Sequence, residues 1–246
     1  MSVTDFQDRI LASDSISRVN FAIHAVTEHI RENALRVGDT LPGEGHFAER
    51  LGVSRAVMRE AFGALAALRL IDVGNGRKPR VSAIDGSIIA TSLDHAVSTA
   101  QVTVAEIWDV RRTVEVRTAE LAAISRTDEE AERIVVLAEA LAKARDDMPE
   151  TTRIDIAFHE AIARASHNAL FVQIVSSFTP LMEVAIPAAW KTRRAGQDPE
   201  TMLDRHRRVA EAIRNRDPVA AASAMDNHFD AAIHSDLAGG GSRQTN

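Results

Sequence analysis

The sequence predicts a mainly α fold in two parts: a small helical unit closed by a hairpin, then a long run of helices. Three observations lead there. Apolar residues recur at helical spacing through most of the 246 residues. Strand signals are nearly confined to one stretch, Leu70 to Ile84. Gly and Pro gather at a few points where helices would end.

The bulk numbers set outer limits. A hydrophobic content of 45% supports a real core, in one large or two ordinary domains. With no cysteine, disulfides and thiolate metal sites are excluded, so a metal would need His, Asp or Glu. The start, MSVTDFQDRI, has acidic residues and no apolar core, unlike a signal peptide. No apolar run approaches the roughly 20 residues of a membrane span, and a soluble cytoplasmic protein is expected. Net charge is −6 but uneven: residues 1–83 carry 11 Lys or Arg against 10 Asp or Glu, and the rest 18 against 25. An acidic chain with one mildly basic end can still bind nucleic acid through that end.

Taken in order, the first helix spans about Ile16 to Leu35, with Ser15 as a cap and Gly38 beyond its end. The second runs from Glu44 to Leu51 and is stopped by Gly52. The third opens at Ser54 and reaches about Leu68, with an apolar stripe of Val57, Ala61, Ala64, Leu65 and Leu68. Two short strands then flank a Gly74-Asn75-Gly76 turn. Helix, helix, turn, helix, hairpin is the order of a winged helix-turn-helix. Helical segments follow at about Val104–Ser125, Asp128–Asp147, Thr151–Ser166, Ala169–Ile186, Pro199–Asn215 and Pro218–Ser235, with caps at Thr127-Asp128 and Asp217-Pro218. These make an all-helical bundle of six or seven helices. The expected boundaries are 1–83 for the DNA-binding domain, 84–98 for a linker, 99–237 for the helical domain and 238–246 for a flexible tail.

The third helix carries the nucleic-acid chemistry. Arg55 and Arg59 lie four apart near its start, off the apolar stripe. The first turns of a recognition helix meet bases and phosphates, and Arg can grip guanine with two donors. Ser54 can cap the helix and also reach a phosphate. Arg77 and Lys78, with Arg80, can touch flanking phosphates or the minor groove from the hairpin. The alternative is that these cations only solvate an exposed face.

GDTLPGEGHFAERLGVSRAVMREAFGALAALRLIDV resembles the N-terminal domain of GntR-family bacterial transcriptional regulators. Gly38, Leu41, Pro42, Glu44, Ala48, Leu51, Val53, Ser54, Arg55, Arg59, Glu60, Ala61 and Leu65 carry the match. It departs at Gly43-Glu44-Gly45, where the family has Ser-Glu-Arg, and in the wing, GNGRKPRV. The operator sequence therefore does not carry over.

The stretch DIAFHEAIARASHN is unusual in a different way. Asp155 and His159 share a helix face with Ile162 and Ser166, beside apolar neighbours. His206 and His228, on two later helices, also adjoin apolar stripes. A lone histidine in such a place is usually a satisfied core imidazole. Three of them with one carboxylate also suit a divalent cation, because an isolated buried charge costs several kcal/mol unless paired or metal-bound. Zn²⁺, Ni²⁺, Mn²⁺ and Fe²⁺ all accept such donors.

EIWDVRRTVEVRTAELAA, DIAFHEAIARASHNALF and HRRVAEAIRNRDPVAAASAMDNHF resemble the FCD ligand-binding domain of FadR-type GntR regulators. The resemblance implies Asp155, His159, His206 and His228 as metal ligands at the floor of a cavity that binds the carboxylate of a small organic acid. It implies Arg111 and Asn168 as effector contacts, although Arg111 also stands four before Glu115 and Asn168 can simply cap a helix. It further implies a homodimer on a pseudo-palindromic operator, acting as a repressor. A regulator that senses the metal itself is the alternative, and a metal-dependent hydrolase a more distant one. Against an enzyme, Glu160 is about 100° around the helix from His159. No His-Glu-x-x-His, nucleophile elbow or phosphate loop is present.

Overall fold

The computed structural model describes residues 3–74, 76–144, 146–193 and 199–239. The chain divides into two units, Met1–Asp85 and Gly86–Asn246.

The first unit has helices α1 (Val3–Glu32), α2 (Glu44–Leu51) and α3 (Arg55–Ala67) and the strand pair β1 (Ile71–Asp72) and β2 (Arg80–Val81). The strands are antiparallel, with Ile71 opposite Val81. The chain before α2 joins their edge: Leu41 N–H donates to Pro79 at 2.8 Å and Val81 N–H to Asp39 at 2.9 Å. The turn between α2 and α3 depends on Gly52, whose φ of +66° is a left-handed position that costs glycine little. Ser54 then caps α3, accepting from Val57 N–H at 3.2 Å. The core holds Ala22, Val26, Leu41, Phe47, Met58, Ala61, Phe62, Leu65 and Ile71. The buried stripe of α3 is thus Met58, Ala61, Phe62 and Leu65. Val57 and Ala64 are half-buried, and Leu68 is 51% exposed. The larger Met and Phe side chains take the core positions that periodicity alone gave to Val57 and Leu68. Asn75, at the tip of the expected turn, lies outside the described residues.

The second unit is helical throughout its described residues: α4 (Ser87–Ser98), α5 (Val104–Ser125), α6 (Asp128–Ala144), α7 (Met148–Ala165), α8 (Ala169–Ser177), α9 (Thr179–Arg193), α10 (Pro199–Arg214) and α11 (Pro218–Gly239). Two features were not anticipated. The stretch expected as a linker carries α4, whose Leu93 and Val97 pack on the bundle core. The segment expected as one helix from Ala169 to Ile186 is two, bent by 47°. The break falls just before Thr179-Pro180, where proline cannot donate to the preceding turn. Of the expected tail, residues 240–246 lie outside the described residues. Among the described residues, no single helix is long and apolar enough to cross a membrane.

Helix ends fix the bundle. Thr103 and Glu106 cap α5 reciprocally, and Thr127 and Glu130 do the same for α6. At the far ends of α5 and α10 two arginines trade places. Arg126, 7% exposed, donates to the carbonyls of Ile213 and Arg214. Arg216 donates to those of Ile124 at 3.2 Å and Arg126 at 3.1 Å. Each arginine supplies donors that the other helix's last turn lacks. Helix α7 is buried on several sides, which explains how Asp155, His159, Ile162 and Ser166 can all be buried together.

Candidate functional site

In the first unit, Ser54, Arg55 and Arg59 are exposed at the start of α3. That is the positive end of the helix dipole, which already favours phosphate. Arg59 is loosely paired with Glu44 at 4.0 Å, an exposed contact that a phosphate can replace. In the wing, Arg77 and Lys78 are exposed, with Arg77 3.9 Å from Asp72. Arg80 is used internally, donating to the Gly38 carbonyl at 2.6 Å.

In the second unit, Asp155 and His159 from α7, His206 from α10 and His228 from α11 come together. Ring nitrogens of the three histidines lie within 4.8 Å of one another. The His206 and His228 rings are 4.5 Å apart, and those of His159 and His228 5.1 Å. His206 Nε2 is 3.0 Å from one Asp155 oxygen and His159 Nε2 3.8 Å from the other. Phe158 and Phe229 wall the cluster with ring edges, and Asp155, His159 and His206 are buried. Burial pushes the Asp155 carboxyl up, but the hydrogen bond with His206 and the charges of His159, His206 and His228 outweigh it and hold it well below the usual range. This donor set fits a divalent cation: three imidazoles and one ionised carboxylate, on facing helices.

Arg111 is buried, at 3% exposure. It donates to Glu115 and contacts the Met182 sulfur. Its guanidinium lies over the Trp108 ring at 5.1 Å and the Phe229 ring at 5.5 Å. Asn168 is exposed and caps α8, its side-chain oxygen accepting from Leu170 N–H at 3.0 Å and Phe171 N–H at 3.4 Å. The structure thus gives Asn168 the capping role. His167 is a surface residue paired with Glu130 at 2.9 Å.

Two residues had drawn no functional reading. Glu115, 1% exposed, lies between Arg111 and His159 and meets His159 Nδ1. Burial would raise its carboxyl, but the charges of Arg111 and His159 and the bonds from both hold it below the usual range. Trp108 is buried with its indole N–H lacking an acceptor among the described residues. The available signal was the stripe Ile107, Trp108, Arg111, Glu115, Thr118, Ala119 and Ala122, where a charged pair shares a face with core residues.

Residues 19–81 match the family described as bacterial regulatory proteins, gntR family, and residues 106–231 match the FCD domain. The chain belongs to the GntR family of regulators, in the branch that carries an FCD domain. It is 31% identical over 205 residues to the Glc operon transcriptional activator of Escherichia coli K12, covering 81% of each chain. It is 27% identical to the regulator LutR of Bacillus subtilis, covering 81% of this chain and 92% of that one. It is 28% identical to the repressor NanR of Salmonella newport, covering 81% and 78%. The solved structure of Streptococcus agalactiae GntR aligns with a TM-score of 0.64 at 26% identity, covering 88% of this chain and 99% of that one. These relatives are transcription regulators and not enzymes. The GntR-family chain is accordingly a DNA-binding transcription regulator with an FCD domain for a small ligand.

Proposed function

We propose that this regulator binds a small carboxylate-bearing metabolite through a divalent cation held by Asp155, His159, His206 and His228. The carrying observation is the convergence of three imidazoles and the Asp155 carboxyl from three helices, with Asp155, His159 and His206 buried. A cation bound there would supply a positive anchor for a ligand carboxylate. Around it, the protein's own groups do the rest. With neutral imidazoles the buried cluster carries two carboxylates, Asp155 and Glu115, against one guanidinium, so a dication would leave it net positive and ready for an anion. Arg111 offers a second, planar cationic contact, in competition with Glu115. The Trp108 N–H gains an acceptor when a ligand oxygen arrives beside it.

On the same reading, Ser54, Arg55 and Arg59 meet one half-site and Arg77 and Lys78 the flanking backbone, in a homodimer on a pseudo-palindromic operator. The chain acts in the cytoplasm, where the operator is. Ligand binding favours one arrangement of the DNA-reading heads over another. Repression is the proposed sign of regulation, as in NanR and unlike the Glc operon activator.

A thermal-shift screen of hydroxy acids, sugar acids and dicarboxylates, with and without chelator, tests the reading. The expected result is an acid that raises Tm only when metal is present and releases operator DNA. Metal content near one ion per chain should fall sharply in His206→Ala. A wild-type protein that takes up no divalent cation would sink the metal anchor. A protein released from DNA by cation alone would favour the metal-sensing alternative.

A further inference from the structure

We infer that Glu115 is a positioning residue that fixes His159 as its Nδ1–H tautomer and leaves Nε2 bare toward Asp155, His206 and His228. The inference deepens the metal-anchored reading and rests on it for its purpose. Its geometry stands separately. The Glu115 carboxylate is contacted at one oxygen by Arg111 and at the other by His159 Nδ1, and all three groups are buried. Arg111 precedes Glu115 by one turn of α5, so the carboxylate has a single orientation. On the other edge of the imidazole, the Asp155 oxygen facing Nε2 is at 3.8 Å, beyond hydrogen-bonding range. A proton on Nδ1 therefore gains a charge-assisted bond that a proton on Nε2 would not gain from Asp155. Two electron-rich atoms, His159 Nε2 and Asp155 Oδ2, are left facing each other across a gap that a cation would fill. Holding a metal-binding imidazole through its other nitrogen is a general way to fix its tautomer and direction.

The isosteric variant Glu115→Gln makes the inference sharp. Arginine has donors only, so the glutamine oxygen turns to Arg111 and its NH₂ turns to His159 Nδ1. That reverses the imidazole, placing hydrogen on Nε2 and blocking it as a ligand. The test is a long-range ¹H–¹⁵N correlation spectrum of the chelator-treated protein at pH 8, with His159 assigned, followed by Co²⁺ titration against a chromophoric competitor. Expected are Nδ1–H in the wild type, Nε2–H in Glu115→Gln, and Co²⁺ affinity weakened about 10- to 100-fold. Arg112→Ala, which breaks the Asp226 pair outside the donor set, should keep Co²⁺ affinity unchanged and controls for general loosening. Nε2–H in the wild type overturns the inference, and so does a Glu115→Gln protein with unchanged tautomer. Unchanged Co²⁺ affinity in that variant, where the wild type binds Co²⁺, overturns it too. If the wild type takes up no Co²⁺, the metal-anchored reading fails, and the tautomer comparison alone decides whether Glu115 positions His159.

Discussion

Arg112 donates to Asp226 Oδ1 at 2.6 Å and ties α5 to α11. That bond, with the Arg112 charge behind it, holds the Asp226 carboxyl below the usual range against the opposing effect of burial. A depressed carboxylate stabilises the fold fully above its unfolded pKa, about 3.9, and loses that contribution as pH falls through the folded value. The carboxylate is half-exposed, so solvent screening limits the pair to a few tenths of a kcal/mol. Asp226→Asn should be less stable than wild type by that amount at pH 7 in urea unfolding. The gap should close in acid, and a gap unchanged at pH 3 would contradict the ionic account. At the DNA end, on the proposed reading Arg59 meets a base edge, so Arg59→Ala should cut operator discrimination by about 1–3 kcal/mol, whereas a uniform loss on all DNA would place it on a phosphate. Lys78→Ala should weaken specific and non-specific DNA alike and lower the salt slope by roughly one contact's share, about 0.9.

Helix ends decide the geometry of the donor cluster at the next scale. The arginine exchange between Arg126 and Arg216 locks the end of α5, which carries Glu115, to the end of α10, which carries His206. Arg126→Ala leaves the carbonyl of buried Ile213 without this donor, at about 1–3 kcal/mol. The Tm should fall by several degrees, since each kcal/mol moves a unit of this size by about 2–4 °C. The start of α4 is equally constrained. A Cβ on Gly86 would lie 2.5 Å from the Gln173 carbonyl oxygen and 3.0 Å from Ser177 N, both backbone atoms of α8. Gly86→Ala must therefore push α4 off α8, and a variant with unchanged Tm would show that this contact does not form in solution.

Across the whole molecule, DNA reading and ligand binding belong to separate compact units, each with its own apolar core. A cation bound only by the folded second unit stabilises it by about 2.7 kcal/mol at 100 times its Kd. Added Zn²⁺ should therefore raise the unfolding temperature of that unit, and chelator should lower it. The unit that reads DNA has none of these ligands and should keep its own transition temperature. Metal ligands must be deprotonated, so cation affinity should decline as the solution is acidified.

Much of this was legible in the residues. The turn at Gly52 followed by Ser54, the two arginines after it, and the single strand-forming stretch imply the winged unit, because caps and left-handed turns are local chemistry. Four-residue spacing put Asp155 and His159 on one face, and the resemblance linked them to His206 and His228. The sequence alone could not bring those helices together, nor show that Arg111 is buried, that Asn168 serves as a cap, or that residues 87–98 form a helix. It also left Glu115 as one more acid four residues from an arginine. Spacing along a helix says which side chains share a face. Only the packing of α5, α7, α10 and α11 decides which faces meet, and there Glu115 comes to rest against His159, beside the donor cluster.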